Sequence, residues 1–268
     1  MISLAVAACV RNEAPYIQEW IEFHRLQGVE KFFLYDNDST DKTLSVLAPY
    51  IDTGIADVTF WPRRPAQQSA FDDALDVTRR FDVQWCAFID VDEFLFSPSG
   101  VKLPETLKQF EKHPGVVAHW VFYGSSGKLE REPEPVIERF TMRDRRVNQH
   151  VKSIVQPQKV KSRGRDAHWF YYQNDLCAVD EYYRPIPPLT PCPFPATADH
   201  LRINHYVTKS KEEMRERCEG GRVDVERKRD FPEHFLAHDK NDVEDKILWQ
   251  WLPELKRRLA NEHIETYQ

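Results

Sequence analysis

Trp85-Cys86-Ala87-Phe88-Ile89-Asp90-Val91-Asp92-Glu93-Phe94-Leu95-Phe96 is the stretch that decides the fold. A mostly apolar run goes straight into an Asp-x-Asp-Glu cluster, and three apolar residues follow. Such a run reads as a strand buried on both faces, as in a parallel sheet. Ligands of open α/β sheets sit at the carboxyl ends of the strands, so the acids fall where a site belongs. On a continuing strand Asp90 and Asp92 would point to one face. Two carboxylates that close repel each other unless a proton or a cation lies between them. A hard divalent ion suits them and can also bridge phosphates. A solvated acidic turn is the plainer reading; Phe94-Leu95-Phe96 argues against it by holding the acids to a core.

Upstream, Ile2 to Val10 reads as a strand, Ala14 to Gln27 as a helix with Gly28 as its C-cap, and Val29 to Tyr35 as a second strand. His24 falls on the apolar helix face as a packed histidine. A helix carrying Leu44 and Leu47, a strand from Ile55 to Trp61 and a helix from Gln67 to Phe81 lead into the central run. The order β-α-β-α-β-α-β implies a parallel sheet with helical crossovers. Downstream, Val116 to Tyr123 is a strand ending in Gly124-Ser125-Ser126-Gly127, and residues 130–139 read as a loop. Short strands flank the basic stretch Arg143 to Lys152, and 174–199 is Pro-rich and irregular. Leu201 to Tyr206 returns to strand character. Lys209 to Glu219 should be helical with Ser210 as cap, and Asp242 to Leu259 is amphipathic. The charged segment 220–230 reads as a mobile loop, either a lid that closes over a bound ligand or a solvated connector.

The chain has 268 residues, 41% of them apolar and 12% aromatic, enough for one large α/β domain with a substantial core. A net charge of −6 argues against a nucleic-acid binder. The five cysteines show no zinc spacing and read as reduced packing residues. The first residues lack the marks of a signal peptide, and no apolar run approaches ~18 residues. These features lead to the expectation of a cytoplasmic protein with no transmembrane segment, peripheral membrane association remaining open. No Gly-x-Gly-x-x-Gly turn follows the first strand, which speaks against a dinucleotide-binding domain.

Four blocks in order resemble glycosyltransferase family 92 and related family-2-like enzymes: Arg11-Asn12-Glu13, Glu19 to His24, Tyr35 to Asp41, and Phe88 to Phe94. Trp120 to Gly127, Lys152 to Pro157 and Ile203 to Tyr206 are similar to that family's later blocks. The family's usual Asn-Asn is Asn37-Asp38 here. The resemblance implies a GT-A type α/β fold with a mostly parallel central sheet flanked by helices, a nucleotide-sugar donor (a UDP-sugar for preference) and a divalent metal, Mn2+ or Mg2+. On this basis residues 1–220 form the glycosyltransferase domain, with 1–100 its nucleotide-binding half and 101–220 its acceptor half. Residues 221–268 add a loop and an amphipathic helix packed on it.

Residue roles follow. Asp92 is the expected direct metal ligand, and Asp90 binds metal through water or holds ribose hydroxyls. The resemblance assigns His205 the late histidine that closes the metal shell; a hydrogen-bonded strand-end histidine is the other reading. Asp36 and Arg11 lie at the first two strand ends, where the nucleoside should rest. Asn12 and Glu13 are expected to cap the following helix. Lys152 is expected at the diphosphate. Trp120, Gly124, Ser125 and His168 are the acceptor-side candidates, for a glycan or glycolipid. A family-2-like fold implies inversion, with a carboxylate taking the acceptor proton; Glu130, Glu132, Asp166, Asp175 and Asp199 are all open for that role. The alternative function is a non-catalytic nucleotide- or sugar-binding protein on the same fold.

Overall fold

The computed structural model describes residues 1–188, 192, 194–220 and 230–261. The lid-or-connector segment falls almost wholly on 221–229 and lies outside the described residues. Strand β1 (Ile2–Val10), helix α1 (Ile17–Leu26), β2 (Lys31–Asp36), α2 (Thr43–Asp52), β3 (Ala56–Phe60), α3 (Gln67–Arg80) and β4 (Val83–Phe88) follow the expected alternation. β1 pairs in parallel with β2 and β4, and β2 with β3. The strand order 3-2-1-4 reverses between β1 and β4, and a crevice opens at such a switch point. The carboxyl ends flanking it carry Arg11 to Glu13 on one side and Asp90 to Asp92 on the other.

The central strand is buried on both faces. Trp85, Ala87 and Ile89 belong to one apolar cluster with α1 and α2 residues, and Cys86 and Phe88 to another with α3 residues. The strand does not continue through the acids. Glu93 N–H donates to Asp90 O at 3.0 Å, and the Glu93 carboxylate accepts from Asp90 N–H at 3.0 Å. The chain therefore turns, and β5 (Glu93–Phe96) starts a new pairing. The two aspartates therefore lie in a turn and not on one continuing strand, and they meet different partners, Asp90 with Lys152 and Asp92 with His205.

After α4 (Leu103–Leu107), β6 (Gly115–Phe122), α5 (Val136–Arg139), β7 (Met142–Arg143) and β8 (Val151–Val155) build the second half. β8 pairs antiparallel with β4 and β6, so antiparallel pairs join the parallel half to the rest. β9 (Val160–Arg163) and β10 (Phe170–Tyr172) form a hairpin against the α3 side, and β11 (Ala178–Val179) and β12 (Pro185–Ile186) extend the sheet edge. β13 (Arg202–His205) inserts between β5 and β6, antiparallel to the first and parallel to the second. This places His205 opposite both Glu93 and Phe122.

Two local expectations change. α5 interrupts the expected loop because Glu19 of α1, buried, accepts from the amides of Val136 at 2.7 Å and Ile137 at 3.1 Å, taking two donors at the helix start. The amphipathic stretch 242–259 is not one helix. Helices α6 (Lys211–Gly220) and α7 (Phe231–His238) precede it, and it divides into β14 (Val243–Glu244), a 3-10 turn over Ile247–Gln250, and α8 (Leu252–Ala260). Pro253 falls in the first turn of α8, where its missing N–H costs no intrahelical bond, so the helix can begin there. Asp245 is spent on Arg143 and Arg202, at 2.7 and 2.8 Å.

The C-terminal part is built into the domain. Leu248 and Leu255 are buried in the main core, and Trp251 packs edge-on against Phe23 and Phe96. Gly28 ends α1 at φ +95°, the left-handed region a C-cap glycine serves. His24 is a core residue: Nδ1–H donates to Trp20 O at 2.8 Å and Nε2 accepts from Leu95 N–H at 3.1 Å. Burial lowers its pKa to about 3. No disulfide links the cysteines, and no described helix is long and apolar enough to cross a membrane.

Candidate active site

Asp92 is buried at the switch-point crevice, its carbonyl fixed by Tyr206 N–H at 2.8 Å. Its Oδ2 meets His205 Nε2 at 3.3 Å and Arg217 Nη1 at 2.5 Å. Its Oδ1 is buried and accepts no hydrogen bond from the described residues, nor has His205 Nδ1 a partner among them. Burial opposes ionisation of Asp92, but Arg217 and His205 outweigh it and hold the carboxyl well below its ordinary range. His205 is pulled down by burial against the opposing pull of Asp92, and its ring stacks on Phe122 at 5.1 Å.

The second acid is used differently. Asp90 Oδ2 accepts from Lys152 Nζ at 2.8 Å and Oδ1 from Gln67 Nε2 at 2.6 Å. Lys152 also lies 3.5 Å from Glu93 and is buried, so its ammonium is engaged by acids within the site and does not face outward to a diphosphate. Burial raises the Glu93 pKa well above the usual range, and Lys152 offsets this only in part. The closer contact of Lys152 is with Asp90, which leaves Glu93 the less compensated acid. Among the described residues, Asp92, Glu93 and His205 present ligand atoms within 4.8 Å of one another. The three-residue set thus contains Glu93 where Asp90 was expected. Its carboxylates and imidazole suit Mn2+ or Mg2+, and the open Asp92 Oδ1 offers a ligand oxygen with no competing donor.

Three further groups face this centre and escaped the sequence reading. Glu13 does not cap α1, whose N-cap receives no side-chain hydrogen bond. Instead burial lifts its pKa to about 7, with Lys209 and Arg217 opposing and Asp92 and Asp90 adding to the rise. Lys209, buried, lies under Tyr16 at 4.2 Å from the ring centre; burial and then Arg217 lower its pKa. Arg217 reaches in from the last turn of α6. Ser210 and Glu213 form a capping box, with reciprocal bonds of 3.2 and 3.0 Å, which was the available signal for this helix. Glu213 and Arg217 lie four residues apart and so share a helix face.

At the neighbouring strand ends, Asp36 is buried with Oδ1 accepting nothing from the described residues, and Arg11 Nε is likewise buried without a partner. Asn12, at φ 57°, holds the β2 loop rather than the helix: its Oδ1 accepts from Thr40 N–H at 2.8 Å. On the other side, Trp120 sits 4.6 Å from His205, 5.3 Å from His168 and 5.2 Å from His150, stacked on the last. Its buried Nε1–H has no acceptor among the described residues. Asp166 accepts from the His168 amide at 2.8 Å, on this same side. Burial lowers the His168 pKa to about 4, so its ring is neutral at pH 7.

Gly124 and Ser125 stand apart from this surface. A Cβ on Gly124 would lie 2.4 Å from Lys240 O, and Ser125 N–H donates to Asp239 at 2.6 Å. The chain's own 239–241 segment fills the space expected for an acceptor.

Residues 4–183 match the family model described as Glycosyltransferase family 92. A family 92 protein of Oryza sativa subsp. japonica is 32% identical over 162 residues, covering 58% of this chain and 27% of the relative. One of Ricinus communis is 31% identical over 164 residues, covering 59% and 29%. The matches span little more than a quarter of those curated relatives. Among solved structures, S. aureus TarS in complex with UDP is 17% identical at a TM-score of 0.40, covering 57% of this chain and 46% of that one. Glucosyl-3-phosphoglycerate synthase from Mycobacterium tuberculosis, in complex with Mn2+, UDP and glucosyl-3-phosphoglycerate, is 18% identical at 0.31, covering 44% of each.

Proposed function

The chain belongs to glycosyltransferase family 92, and from that premise we propose that it transfers a sugar, with inversion, from a UDP-sugar to a glycan hydroxyl in a Mn2+- or Mg2+-dependent reaction. One observation carries the reading: Asp92, with an open buried oxygen, meets His205 at the switch point beside the open Asp36 and Arg11. Asp92, His205 and Glu93 would hold the cation. When bound, it supplies charge neutralisation for the departing diphosphate. Asp36 accepts from the base or ribose, and Arg11 donates to base or phosphate. Lys152 keeps Asp90 and Glu93 together against their repulsion. Trp120 and His168 offer a ring surface on which a sugar stacks.

Titration with UDP, with and without Mn2+, tests this reading in the parent and in Asp92→Ala. The parent should bind UDP more tightly with Mn2+, and the variant should lose that gain. Equal UDP affinity with and without Mn2+ in the parent would contradict metal dependence. Binding with no UDP released from any UDP-sugar would favour the non-catalytic alternative.

A further inference from the structure

Arg217 shares the carboxylate that a cation would use. Asp92 Oδ2 lies 2.5 Å from Arg217 Nη1, and the same carboxylate belongs to the Asp92, Glu93, His205 set. A guanidinium and a divalent cation on one carboxylate repel each other strongly in a buried setting. Lys152 and Lys209, both buried, already add positive charge around these acids. The cation and Arg217 therefore compete for Asp92 unless new negative charge arrives.

The donor's diphosphate is that charge. The Arg217 side chain is 29% exposed, so part of it already reaches the surface from which a diphosphate would arrive. Its helix stays fixed one turn earlier, where Glu213 is held by Arg139 through two bonds of 3.0 Å. A guanidinium forks well onto phosphate oxygens.

We propose that Arg217 couples the two ligands: it neutralises Asp92 when no cation is bound, and passes to the nucleoside diphosphate when the cation takes that carboxylate. This rests on the metal-dependent reading above. It follows that the cation binds weakly alone and that UDP strengthens it, because the diphosphate brings the negative charge to which Arg217 can pass. By linkage the cation strengthens UDP by the same factor.

The experiment measures Mn2+ affinity by the electron paramagnetic resonance signal of free Mn2+, with and without UDP, in the parent, Arg217→Met and Arg217→Lys. Arg217→Met should bind Mn2+ alone about tenfold more tightly than the parent, and the strengthening by UDP should shrink by a similar factor. Arg217→Lys, which keeps the charge without the fork, should fall between them. Thermal melting checks that all three fold alike. Mn2+ affinity equal in parent and Arg217→Met, with the UDP effect unchanged, would overturn the coupling while leaving the metal reading intact. Absence of Mn2+ binding in all three proteins, with and without UDP, would overturn the metal reading and the coupling with it.

Discussion

Replacing Glu213 by Gln should destabilise the protein by about 3–5 kcal/mol at pH 7, because it strips a buried arginine of its counter-charge. The Glu213 carboxylate accepts from Arg139 Nη1 and Nη2, from Tyr16 Oη and from Ser210 N–H, each at 3.0 Å. The side chains of Glu213 and Arg139 are 1% and 4% exposed. A Gln amide keeps one acceptor oxygen and turns donors toward a guanidinium that has only donors. The acid's own titration gives a second figure. Burial raises the Glu213 pKa, but Arg139 and Ser210 outweigh it and bring it from 4.5 to about 2. At about 1.4 kcal/mol per pKa unit this is worth about 3 kcal/mol. The folded pKa is the lower one, so the contribution is complete above the unfolded value of 4.5 and is lost as pH falls toward 2. Urea unfolding of parent and Glu213→Gln across pH 3–7 should give a gap of about 3–5 kcal/mol at pH 7, shrinking to ~1–2 kcal/mol at pH 3. A gap under ~1 kcal/mol at pH 7, or one that does not narrow in acid, would refute the reasoning.

Asp36→Ala should weaken UDP binding by about 1–3 kcal/mol, the scale of a lost hydrogen bond to a charged acceptor, measured by calorimetry. Unchanged affinity would mean that the nucleoside lies elsewhere. Gly124→Ala should destabilise by about 1–3 kcal/mol in urea, since its Cβ would sit 2.4 Å from Lys240 O and 2.6 Å from Asn241 Oδ1. A loss under ~0.5 kcal/mol would show that the 239–241 segment gives way freely.

The apolar run before Asp90 made the central strand legible, because burial on both faces leaves no other economical pattern. The alternation of the first half followed from the same periodicity. Asp92 and His205 were singled out at strand ends, and the structure brings their side chains to 3.3 Å of each other. Their neighbours were harder. Lys152 was picked out as a cation, but which acid it meets depends on β8 lying beside β4, and spacing along the chain does not carry that pairing. Glu13 resembles a helix-capping acid in sequence, yet the helix starts later and the carboxyl turns into the site. Arg217 lies 125 positions from Asp92, in a helix whose charged composition reads as a solvated face. Gly124 invited an acceptor only because nothing in the local sequence announces that Lys240 and Asn241 return to cover it.

Crystals grown with UDP and Mn2+, measured for anomalous scattering near the manganese edge, test the central claim most directly. The account predicts an anomalous peak between Asp92 and His205, with Asp36 in contact with the nucleoside and Arg217 turned from Asp92 to the diphosphate. Bound UDP with no anomalous peak at Asp92, or with the peak at another group of residues, would contradict it.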